Sequence, residues 1–183
     1  MSLQNNLTFR LVFKVICRSF AFLLFISCGN ENNKREVTSP QLSEKLININ
    51  KKIVSKESEE IEGYIKRHNW QMISTGTGLR YMIYQKAEGI KTESKKKVTL
   101  NYSLNLLDGT LCYSSAPETP LQFTIGNAEV PKGLEEGILL MKSGEKARFI
   151  LPAHLGYGFH GDDNKIPHDA TLVYDVELLK IEN

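Results

Sequence analysis

Val130–Gly158, VPKGLEEGILLMKSGEKARFILPAHLGYG, is the stretch whose reading decides the fold. Pro131 and Gly133 mark a tight turn, and Leu134, Ile138 and Met141 then recur at i, i+4 and i+7, one face of a short helix. Ser143-Gly144 turns the chain, a strand runs up to Pro152, and a loop carries Tyr157 between two glycines. A helix with one apolar face must bury it against another element. The segments on either side, VTLNYSLNLL (98–107) and ATLVYDVELLKI (170–181), carry alternating or continuous apolar residues and read as β. The expected fold class is therefore α+β, an antiparallel curved β-sheet wrapped around one short helix, with an aromatic at its mouth.

Working outward, LRYMIYQ (79–85) alternates through Leu79, Tyr81 and Ile83 as a strand, and KAEGIKTESKK (86–96) is a polar turn. The strand from Val98 to Leu107 turns at Asp108-Gly109, a common hairpin pair. Thr110–Ser115 returns, Ala116–Pro120 forms a loop, and LQFTIG (121–126) adds another strand. The last strand, Thr171–Ile181, is long and apolar enough to sit centrally in the sheet.

Upstream lies an N-terminal helical arm. Ser39 suits an N-cap and Pro40 the first helical position. Apolar residues recur at Leu42, Leu46, Ile49, Ile53, Ile61 and Ile65, with Glu57 on the same stripe, a break expected near Ser55–Ser58 and an end near His68-Asn69. Such an arm either pairs two copies or cradles a substrate, or else folds onto its own domain; the pattern leaves these open.

Residues 1–27 combine scattered basic residues with AFLLFIS, a run too short to span a bilayer, in the order of an export signal. Ser27-Cys28-Gly29 follows and resembles the lipobox of bacterial lipoproteins, which implies acylation of Cys28 and a membrane anchor. The expected organisation is a lipoprotein signal peptide (1–27), a flexible tether (28–38), the helical arm (39–69) and one domain (70–183).

Hydrophobic content of 41% and charged content of 24% are those of a globular chain. The formal charge is +2, but the leader holds Arg10, Lys14 and Arg18 and no acid, so its loss takes 23 basic residues to 20 against 21 acidic. Nothing in that balance asks for nucleic acid, and Lys95–Lys97 reads as a solvated strand edge. Once Cys17 leaves with the leader and Cys28 is acylated, Cys112 has no cysteine to pair with, so stability must come from the core.

Several residues invite a catalytic reading that their context discourages. Glu135 and Glu136 sit in a helix's first turn, where acids complement the dipole. Cys112 has no partner that would make it a nucleophile. Ser114-Ser115 lacks an elbow motif. HGDDNKIPHD (160–169) gathers acids and histidines, but the spacing matches no established metal-ligand set and reads as a solvated loop.

The chain from about Gly78 to Glu182 resembles FK506-binding-protein-type peptidyl-prolyl cis-trans isomerases. YSLNLLDGTLCYSS, PLQFTIGNAEV, KGLEEGILLMKSGEKARFILP, LGYG and IPHDATLVYDVELLKI stand in that family's order and spacing. With the leader, arm and WQMISTGTGLRYMIYQ added, the chain resembles the gliding-motility-associated lipoprotein isomerases of Bacteroidetes. The resemblance implies a cell-envelope isomerase of X–Pro bonds in proline-containing exported polypeptides, needing no cofactor. A non-catalytic chaperone or docking module using the same hollow is the rival.

Carried over, the resemblance assigns Tyr102 and Tyr174 to an aromatic wall and Tyr157 to the phenol that donates to a bound carbonyl. Val130 and Ile166 match aliphatic wall positions. Leu134 falls on the floor, where the best-known members have tryptophan, and Leu121 and Cys112 fall where they have phenylalanine. Tyr113 stands where those members have an aspartate inside the pocket. Pro131 stands where a backbone N–H holds the ligand, and proline has none. These departures imply a shallower hollow and weak macrolide binding.

Overall fold

The computed structural model describes residues 39–115 and 119–182; the leader, Cys17, Cys28, the 28–38 tether and residues 116–118 of the expected loop lie outside them. Helix α1 spans Ser39–Arg67 and is followed by strands β1 (Ile73–Ser74), β2 (Arg80–Gln85), β3 (Lys97–Leu106), β4 (Leu111–Ser114) and β5 (Leu121–Thr124). Helix α2 (Lys132–Leu139), β6 (Lys146–Leu151), a 3-10 turn (Ala153–Leu155) and β7 (Leu172–Glu182) complete the order. Residues 44–183, from within α1 onward, form one compact unit, and it holds the sheet.

Seven strands form one antiparallel sheet in the order β1-β2-β6-β7-β3-β4, with β5 also paired to β3. The last strand is central, between β6 and β3, as its apolar run implies. Alternation divides the side chains between the two faces. Ala147, Phe149 and Leu151 of β6, with Leu172, Tyr174, Val176 and Leu178 of β7, join Leu134 and Ile138 of α2 in the main core. The 3.6-residue period of α2 thus meets the 2-residue period of the sheet.

Met141 belongs to this core but not to the helix. Helix α2 stops at Leu139, and the following turn, with Met141 N–H donating to Ile138 O at 3.0 Å, carries the side chain inward. Pro131 precedes α2, and its carbonyl accepts from Leu134 N (2.9 Å) and Glu135 N (3.2 Å). The two glutamates serve structure: Glu135 accepts from Gly126 N (3.1 Å), and Glu136 accepts from the Thr77 hydroxyl (2.8 Å).

The α1 helix runs unbroken through Ser55–Ser58, where the sequence predicts an interruption. Pairs four residues apart bridge that point: Lys56 with Glu60 at 3.6 Å and Ser55 with Glu59 at 3.4 Å. The helix ends where Asn69 takes φ 53° and Trp70 N–H reaches back to Ile65 O. Its last turns bury Ile61, Tyr64 and Ile65 against Ile150 and Val173, on the sheet face opposite α2. That half of the arm folds onto its own domain. Leu46, Ile47, Ile49, Ile53 and Val54 remain exposed.

Glu57, the polar residue on the apolar stripe, is the clasp of this contact. Its Oε1 accepts from Ala153 N (2.6 Å) and from the Thr171 hydroxyl (2.8 Å). Arg80 of β2 adds bonds to Glu62 (3.1 Å) and Ser58 (2.9 Å). Beyond the helix the same sheet face is polar. Arg148 lies 4.7 Å from both the Trp70 and Tyr84 ring centroids and bonds Asp175 at 2.8 Å.

Candidate functional site

Strand alternation and one helix supply the walls of a cavity of about 290 Å³. Tyr102 and Leu104 of β3 face it together because they are two residues apart. The β3–β7 register sets Leu104 opposite Tyr174, bringing the Tyr102 and Tyr174 rings to 6.0 Å. The β4 strand contributes Tyr113, β5 contributes Leu121, and the approach to α2 contributes Glu129, Val130 and Pro131. Leu134, 1% exposed, forms an apolar floor. Tyr157 and Asp162 complete the lining from the long loop before β7.

That loop is built by its own hydrogen bonds. Gly158 N donates to Ala153 O (2.9 Å), and Asp169 N returns to Gly158 O (3.1 Å). Gly161 takes φ +70°, and a Cβ there would stand 2.2 Å from Ile166 O, so only glycine allows the close crossing. Directly after it, the Asp162 carboxylate accepts from Asn164 N (3.0 Å), Ile166 N (2.7 Å) and the Tyr113 hydroxyl. The Asn164 amide also donates to Tyr113 Oη at 3.1 Å. The Tyr113 bond holds Asp162 below its ordinary pKa, with the backbone donors acting the same way, and raises that of Tyr113.

The three other phenols stay protonated at neutral pH. Burial raises Tyr102 and Tyr157, and Asp162's charge adds to the rise at Tyr157. Burial chiefly, with Tyr157 beside it, pushes Tyr174 far above the usual phenol range. Tyr174 and Tyr157 are hydrogen-bonded to each other, and the bond raises the pKa of Tyr174 and lowers that of Tyr157. Tyr157, 38% exposed, presents its phenol at the edge of the cavity.

The structure thus brings together Tyr157, Tyr102, Tyr174, Tyr113, Leu121, Val130, Pro131 and Leu134. Cys112 and Ile166 are not among the lining residues. Both are buried in the core, at 1% and 2% exposure, and the Cys112 thiol approaches Lys165 O at 3.6 Å. Burial raises that thiol's pKa, which suits an inert packing role.

Sequence reasoning missed Asp162, Glu129 and Leu104. The signal for Asp162 was present: a tyrosine at 113, where the resemblance expects an acid, leaves room for a carboxylate from elsewhere. The 160–169 loop is accordingly not simply solvated. Asp162 turns inward, and His168 Nδ1 is bonded to Phe159 O at 2.8 Å.

An open, mostly apolar cup with phenolic donors, set between a curved antiparallel sheet and a short helix, defines a proline-isomerase fold. The chain belongs to the family of FKBP-type peptidyl-prolyl cis-trans isomerases, whose model matches residues 88–179. It is 45% identical over 94 residues to the peptidyl-prolyl cis-trans isomerase FKBP2 of Mus musculus, covering 51% of this chain and 67% of that protein. It is 34% identical over 157 residues to the probable FKBP-type isomerase FkpA of Neisseria meningitidis serogroup B, covering 82% of this chain and 57% of that protein. Among solved structures, AtFKBP13 matches at a TM-score of 0.57 and 26% identity, covering 60% of this chain and 98% of that one.

Proposed function

We propose that this chain is an envelope lipoprotein whose cavity isomerises X–Pro bonds in exported polypeptides, of the kind represented by the gliding-motility-associated isomerases. The observation that carries the reading is the open cavity with the Tyr157 phenol at its edge. No nucleophile is needed. Rotation of the amide faces a barrier of about 18–20 kcal/mol because resonance holds it planar. A proline seated on Leu134 between Tyr102 and Tyr174 leaves water, which disfavours the polar planar amide relative to the twisted one. Tyr157 donates to a carbonyl of the substrate and fixes its orientation. Each 1.4 kcal/mol or so of such differential binding is worth about tenfold in rate.

Replacing Tyr157 with phenylalanine tests this reading. The lost hydrogen bond is worth about 1–1.5 kcal/mol, so kcat/KM on X–Pro peptides should fall roughly tenfold while the fold persists. The rival reading, a non-catalytic chaperone, is favoured by Pro131, which offers no backbone donor, and by the exposed apolar row on α1. Aggregation suppression that survives in Y157F beside wild-type protein inactive on every peptide would establish that rival. If neither property changes and both are present, the cavity is not the site.

The leader's pattern supports anchoring through Cys28. Cys28→Ser should move the protein from the membrane to the soluble fraction, and its retention in the membrane fraction would remove the lipid anchor. The exposed row from Leu46 to Val54 supports pairing of two copies through the arm. A strictly monomeric sedimentation profile would remove that part.

A further inference from the structure

We propose that Asp162 makes the cavity selective for X–Pro segments that carry lysine or arginine next to the proline. The inference rests on the reading of the cavity as a proline-segment site and adds the chemistry of the neighbouring residue.

Two charged residues line the cavity, Glu129 and Asp162, and both are acidic. The Asp162 carboxylate is not a mobile surface charge. Asn164 N and Ile166 N hold Oδ1, and the Tyr113 hydroxyl holds Oδ2. All three donors are neutral, so they fix the group and favour its ionised form without cancelling its charge. Asp162 takes part in none of the ion pairs among the described residues. The lysine of its loop, Lys165, stands with Nζ 5.2 Å from the Tyr113 ring centroid and is exposed, so solvent screens it and it offsets the Asp162 charge only in part.

The cavity of about 290 Å³ is small, and a residue adjoining a proline on Leu134 lies within one side-chain length of Asp162. The carboxylate comes from the loop, while β4 supplies Tyr113 as its donor. Tyr113 therefore spends its hydroxyl on orienting the acid. Bringing a unit positive charge to within about 6 Å of a half-exposed carboxylate favours binding by roughly threefold, and a negative charge is disfavoured by about as much.

The test uses the full-length protein and peptides identical except for lysine, glutamine or glutamate before the proline. Turnover is read by NMR exchange and affinity by NMR titration of the same peptides. The wild type should rank lysine over glutamine over glutamate, with a lysine-to-glutamate ratio of about ten that shrinks as salt is raised. Asp162→Asn should bring the ratio close to one, whereas Tyr113→Phe, which keeps the carboxylate, should retain it. A wild-type ratio below about two at low salt, or a ratio unchanged in Asp162→Asn, overturns the proposal. The salt series on the wild type tests the charge even if the asparagine variant folds poorly. Turnover without charge preference defeats this inference alone. Charge-selective binding without turnover defeats only the isomerase reading, and absence of binding defeats both.

Discussion

Glu57→Ala should loosen both the arm and the loop that carries Tyr157. The wild-type Oε1 accepts the Ala153 amide at 2.6 Å and the Thr171 hydroxyl at 2.8 Å. Ala153 is only 9% exposed and Thr171 7%, so neither donor finds water easily once the carboxylate is gone. A hydrogen bond to a charged group contributes about 1.5–3 kcal/mol net. Here two donors share one oxygen, and Glu57 is itself half-buried, so water recovers part of the loss and about 2 kcal/mol remains. For a domain of this size that is a fall of roughly 6 °C in Tm.

Urea unfolding at neutral pH measures the difference, and the m-value should not change because the surface exposed on unfolding is the same. Glu57→Gln keeps an acceptor oxygen and should lose less than about 1 kcal/mol. Hydrogen exchange provides the local check, since the Ala153 amide should exchange much faster in the alanine variant. Ala153 opens the turn that leads to Tyr157, so isomerisation should fall as well. An alanine variant within about 0.5 kcal/mol of wild type, with the Ala153 amide still protected, would refute the argument.

The tight α2–sheet contact makes a second prediction. A Cβ at Gly137 would stand 2.9 Å from three ring atoms of Phe149, so Gly137→Ala should cost about 1–3 kcal/mol in a denaturant titration despite the better helix propensity of alanine. Acid titration supplies another. Because Asp162's folded pKa lies below its ordinary 3.8, the stabilisation it contributes is present above that value and lost as pH falls through the lowered one. The Tyr113 ring resonances should therefore hold constant from neutral pH down to about pH 4 and move only below it; a midpoint above 3.8 would contradict the Asp162–Tyr113 bond.

Periodicity alone carried much of the fold. The spacing of Leu134 and Ile138, and the alternation in β2, β3 and β7, record local geometry that any stable solution must satisfy. The central place of β7 followed from its length and apolar run. Tyr157 was legible because an aromatic between two glycines on a loop has no obvious packing partner. Tyr102 and Tyr174 needed the family resemblance, since strand tyrosines are ordinarily packing residues.

What the sequence by itself determined was the kinds of element, their order and the residues turned toward the core, because those depend on neighbours three or four positions away at most. Only the tertiary structure decided which residues meet across long separations. Glu57 reaches Ala153 and Thr171, Asp162 reaches Tyr113, and Cys112 and Ile166 fall into the core beside the cavity they were expected to line. The arm divides the same way: one apolar stripe, interrupted by Glu57, is covered over Ile61–Ile65 and bare over Leu46–Val54. A stripe states that a face is apolar; what covers it depends on where the sheet ends in space.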